Sequence, residues 1–168
     1  MKVVRLKVLL VTVFVSFLLH SNSAFSDYLG GECERLYFLE NFEAAYETCS
    51  VAAEQGDAEA QLFLGVMYFN GNGITQDYTE ASRWYHAAAI QGYSAVQHNM
   101  AVMYSNGYGV PQDLILAHVW YNIANANGYI ISAQFRDRVA SKMTADQITQ
   151  AQALARQCIN SIYTDCGY

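Results

Sequence analysis

Proline occurs once in the chain of 168 residues, and no stretch is biased enough in composition to act as a linker or a low-complexity tract. That leaves one domain, and the residues from Asp27 onward are enough for it to have a core of its own. Basic residues are scarce as well. Of nine lysines and arginines, Lys2, Arg5 and Lys7 lie at the very start; the remaining six face fifteen acids, a net charge of −9 from Asp27 onward. Nucleic acid is a poor partner for such a chain. The longest apolar run, Val8 to Leu19, is short of the roughly 20 residues that a membrane span needs.

Spacings that carry chemistry are missing too. No Cys-x-x-Cys supports a redox or zinc role. His86, His98 and His118 are twelve and twenty residues apart, never two on one helical turn as a metal would require. Lys142, the only lysine after Lys7, directly follows Ser141, so the Ser-x-x-Lys of acyl-transfer enzymes is absent. The glycine-rich stretches lack the Lys-Ser/Thr of a nucleotide loop. The sequence therefore predicts no catalytic residue, no metal and no cofactor.

What is present begins with a leader. Lys2, Arg5 and Lys7 precede the apolar run and then the small, polar HSNSAFS, the order of a secretory signal peptide over residues 1–26. Export to the periplasm or beyond follows, with no stable membrane span after cleavage. In an exported chain four cysteines read as two disulfides. Of the three possible connectivities, neighbour pairing, Cys33 with Cys49 and Cys158 with Cys166, ties down a terminal element at each end, and each closed loop contributes about 3 kcal/mol. The acids are uneven: eleven lie between Asp27 and Glu80 against Arg35 alone. They form a solvated face that favours solubility, or a surface that steers a basic partner.

A shift of 36 residues lays QLFLGVMYFNGNGITQDYTEASRWYHAAAIQG, from Gln61, over QHNMAVMYSNGYGVPQDLILAHVWYNIANANG, from Gln97, with fourteen identities. A catalytic loop has no reason to recur at a fixed spacing, whereas a stacking unit does. Each copy reads as two helices around a turn. Gly71 with Gly73, and Gly107 with Gly109, supply the positive φ that reverses the chain. Asp77 and Asp113 cap the second helix of their copies. Gly65 and the alanines Ala81, Ala88, Ala117 and Ala124 allow close helix approach, while Tyr68, Trp84, Tyr85, Tyr104, Trp120 and Tyr121 fill the space between helices.

Going backward, the register places Asn41 on Asp77 and Gly56 on Gly92, which makes residues 27–56 a partial first unit. Full units follow at 57–92 and 93–128, and residues 129–168 close the stack with capping helices, the last opened by the capping box Thr144-Ala-Asp-Gln147. Arg136, Arg138 and Lys142 form the polar outer face that a terminal unit needs.

These residues resemble the Sel-one-like repeat (SLR) family, relatives of the tetratricopeptide repeat. The resemblance implies an all-α, right-handed superhelix (solenoid) of antiparallel helix pairs whose concave side holds another protein or a peptide. It implies a non-enzymatic adaptor in envelope signalling or host contact, with a cell-wall or β-lactam amide hydrolase, a penicillin-binding protein, as the alternative. The expected groove stripe is Phe63, Met67 and Asn70 in one copy and Asn99, Met103 and Asn106 in the next, each spaced i, i+4, i+7 along a helix.

Overall fold

A computed structural model describes Phe25, residues 28–163, Asp165 and Cys166. Apart from Phe25, the leader read over residues 1–26 lies outside the described residues. Among these the chain is entirely helical: α1 (residues 28–38), α2 (Phe42–Glu54), α3 (Ala58–Asn70), α4 (Tyr78–Ala89), α5 (Ser94–Asn106), α6 (Leu114–Ala126), α7 (Ser132–Ala140) and α8 (Ala145–Asn160). Packing runs from each helix to the next in the chain from α2 to α6, and α6 then carries both α7 and α8. That is the order of an α-solenoid, in which each unit is stabilised mainly by its neighbours.

The helix ends follow from local chemistry. The Asp77 carboxylate accepts from the backbone N–H groups of Thr79 and Glu80, and Asp113 does the same for Ile115 and Leu116. Thr144 and Gln147 form a reciprocal capping box at α8. Asn41 departs from the pattern: it precedes α2 but makes no side-chain cap. The first of the capping helices, α7, is short, because the residues just before Ser132 are taken up by turns.

The copied glycines have a geometric reason beyond the turn itself. At Gly73 a Cβ would lie 2.6 Å from the Cβ of Phe42, and at Gly109 it would lie 2.0 Å from the carbonyl oxygen of Tyr78. Phe42 and Tyr78 are themselves one period apart, so the turn after each first helix seats on the start of the preceding unit's second helix. Gly65 gives up its Cβ for the ring of Tyr85, which would stand 2.5 Å from it.

Gly109→Ala should therefore lose about 3 kcal/mol, left-handed backbone strain plus overpacking against backbone. Gly128→Ala has a positive φ but open space around its Cβ, and should lose only about 1 kcal/mol. Urea midpoints of the two variants check this, and equal losses would remove the interlock from the account.

A second repeated device is polar. Gln61 donates to the Ala53 carbonyl at 3.1 Å and Gln97 to the Ala89 carbonyl at 3.0 Å, each reaching back to the end of the previous unit. Their amide oxygens accept in turn from Gln91 at 2.9 Å and from Asn127 at 2.8 Å. Gln76 and Gln112 likewise donate to the Phe69 and Ser105 carbonyls. The Ala53 and Ala89 carbonyls also accept from the Gly56 and Gly92 N–H groups at 3.0 Å, so removing either buried glutamine would take away the link between units and leave the carbonyl with its local turn bond alone. These glutamines were visible as identities between the copies, but their work became clear only in three dimensions.

Cys33 is bonded to Cys49, which joins α1 to α2, and Cys158 is bonded to Cys166, which holds the segment after α8 against it. Two apolar clusters result. One gathers α1, α2 and the inner face of α3; the other runs from α4 through α8, with Trp120 its largest fully buried side chain.

Candidate interaction surface

The expected stripe divides on burial. Met67 and Met103 are 0% exposed and Phe63 is 8% exposed, so all three are packing residues and not groove lining. Phe63 sits against the rings of Tyr37 and Phe38. The reason is rotational: with 3.6 residues per turn, a stripe spaced i, i+4 drifts little from the face that already meets the neighbouring helices. The asparagines behave differently. Asn70 and Asn106 are exposed at the ends of α3 and α5, where Asn106 donates to the Val102 carbonyl at 2.8 Å.

Asn99 is the member of the stripe that lines a concavity. It joins Phe69 of α3 and Val102 of α5 over the ring of Tyr85, around a hollow of about 120 Å³. Phe69 continues the surface. Its ring centroid is 5.1 Å from that of Tyr78 and 5.8 Å from that of Tyr108, and Tyr78 and Tyr108 stack at 4.9 Å. Offset and edge contacts of this kind hold rings in a defined orientation. Burial pushes the Tyr85 hydroxyl far above its ordinary range, so the floor of the hollow stays neutral.

Sequence reasoning missed Phe69, Tyr78 and Tyr108, for a physical reason. Their equivalents one period away are Ser105, Leu114 and Asn72. Comparing the two copies selects side chains that every unit needs for stacking, and a residue that meets a particular partner in one unit has no reason to recur in the next.

The Tyr46 and Tyr68 hydroxyls meet at 3.1 Å, and this hydrogen bond, then burial, pushes Tyr68 up to about 12. His98 hydrogen-bonds Ser132 at 2.9 Å inside a nest of Tyr121, Tyr129 and Phe135. Ser132 is 0% exposed, so this serine–histidine pair offers no substrate carbonyl a path to the hydroxyl. Among the described residues no group of three or more His, Cys, Asp or Glu is placed to hold a metal ion, and no helix is long and apolar enough to cross a membrane.

The Sel1 repeat family model matches residues 58–93 and 94–129. A 36-residue stretch, 21% of this chain and 7% of the relative, is 53% identical to the secretory immunoglobulin A-binding protein EsiB of a uropathogenic Escherichia coli strain. A crystal structure of a protective antigen present in uropathogenic Escherichia coli strains, displaying an SLR fold, superimposes with a TM-score of 0.78 at 29% identity. It covers 82% of this chain and 31% of the antigen. A Sel1 repeat protein from Oxalobacter formigenes gives 0.52 at 34% identity, over 54% of this chain and 37% of its own. The chain thus spans about a third of the solved relatives and a small part of the curated one.

Proposed function

From the premise that this chain belongs to the Sel1-repeat proteins, which are generally protein–protein interaction scaffolds and typically not enzymes, we propose that it is an exported adaptor. Its partner, a protein or peptide, lies along the first helices of the two repeats. The observation that carries this reading is the hollow between α3 and α5, where Phe69, Asn99 and Val102 surround the Tyr85 ring beside the stacked Tyr78 and Tyr108. An apolar floor with a few directed polar groups and aromatic walls is what a peptide side chain needs for anchoring. A relative whose name records binding to secretory immunoglobulin A supports a protein partner. The leader pattern and the two disulfides support export to the periplasm or beyond. No observation favours the hydrolase reading.

The test is a photo-crosslinking residue placed at position 99 in living cells, with position 150 on the exposed face of α8 as control. A protein adduct is expected from position 99 alone; no adduct there, or the same adducts from both, counts against the groove. Asn99→Arg should then weaken the recovered partner at least tenfold, about 1.4 kcal/mol, with the urea midpoint unchanged.

A further inference from the structure

At the far end of the stack a cleft of about 380 Å³ opens between α6, α7 and α8. Its polar wall is His118 and Asn122 of α6, Arg136 and Asp137 of α7, and Gln152 and Arg156 of α8. That is the size of a small-ligand site, roughly 300–1,000 Å³. It lies apart from the α3–α5 hollow and does not rest on the reading given to that hollow. Arg136, expected on the outer face of the terminal unit, is instead turned inward. Its Nε and Nη2 donate to Asp137 Oδ1 at 2.9 and 2.7 Å, and its Nη1 reaches Asn122 Oδ1 at 3.4 Å. The guanidinium is therefore oriented before any ligand arrives.

Three features point to what the cleft accepts. Two guanidinium groups face one carboxylate, so the wall carries a net charge of one positive unit, and Arg156 takes part in none of the ion pairs among the described residues. His118 is 3% exposed, and its Nδ1, shielded from solvent, has no hydrogen-bond partner among the described residues. A buried polar atom left unmatched costs about 1–3 kcal/mol, which marks this wall of the cleft as incompletely satisfied. Burial, then Arg136, lowers the His118 pKa and favours the neutral ring. The set is rich in donors: the Arg156 guanidinium, the N–H groups of Arg136 not spent on Asp137, and two amides, against a single carboxylate that is already paired.

We propose that the cleft between α6, α7 and α8 is a binding site for a carboxylate group. The paired oxygens of a carboxylate match the fork of a guanidinium, and its single charge balances the wall, whereas a phosphate dianion would leave the cleft with excess negative charge. The carboxylate comes either from a chain end or from an acidic side chain.

The probes are N-acetyl-alanyl-alanine, N-acetyl-aspartic acid amide, N-acetyl-alanyl-alanine amide and inorganic phosphate, titrated into isotopically labelled protein while the His118 ring and arginine Nε resonances are followed. Saturable shifts with either of the first two support the proposal, and the one that binds names the source. Arg156→Gln, at an exposed position, should keep the fold and lose at least tenfold in affinity. The proposal is overturned if the uncharged amide binds equally well, if phosphate binds more tightly than both carboxylates, if Arg156→Gln leaves binding unchanged, or if no probe produces a saturable shift.

Discussion

Met67→Arg is expected to abolish cooperative unfolding altogether, leaving a chain without near-ultraviolet circular dichroism. Met67 is fully buried in the cluster formed by Cys33, Ala45, Cys49, Ala52, Phe63 and Leu64. No acid is buried among the described residues, so a guanidinium placed there would be desolvated without a buried counter-charge, and its extra length would overpack the site. The combined cost is about 5 kcal/mol or more, a large share of the 5–15 kcal/mol by which an ordinary domain is stable. Met67→Leu, which keeps volume and polarity, should lose less than about 1.5 kcal/mol. A folded Met67→Arg protein with an unshifted urea midpoint would show that the side chain is accessible, and would restore the stripe read from the sequence as a binding surface.

Trp120→Ala comes next, with an expected loss of about 4 kcal/mol. Its ring is fully buried within the cluster that spans α4 to α8, and truncation would leave a cavity that helices fixed at both ends cannot close. Trp84 occupies the same position one period earlier, yet it is only half-buried, with the Arg83 guanidinium 4.8 Å from its ring centroid. Trp84→Ala should therefore cost clearly less, about 2 kcal/mol. The difference between copies comes from packing: α6 carries α7 and α8 as well as α5, whereas α4 packs chiefly between α3 and α5. Urea denaturation of both variants decides the matter, and a Trp84→Ala loss equal to that of Trp120→Ala would refute the unequal burial.

The contrast between the two tryptophans also shows how far the sequence could be read. The caps at Asp77, Asp113 and Thr144 and the glycine turns were legible because they depend on residues a few positions apart. The doubled stretch exposed the period because stacking places the same demand on each unit. The groove was less legible. Helical spacing pointed to α3 and α5, the helices of the proposed groove, but Met67 and Met103 turned inward and the aromatic surface came from Phe69, Tyr78 and Tyr108, which have no counterpart in the other copy. Arg136 was assigned to solvent because charge usually lies there, and only the placement of α8 turned its neighbourhood into a cleft.

By itself the sequence determined that helix pairs recur every 36 residues and where most of them start and stop, since N–H capping and positive φ are settled within a turn or two of chain. Tertiary structure alone decided which of the repeated side chains are buried, which of the repeated glutamines link neighbouring units, and which polar groups share a cleft. Those outcomes depend on distances between helices far apart in the chain, and a local pattern that is the same in both copies cannot encode different surroundings for each.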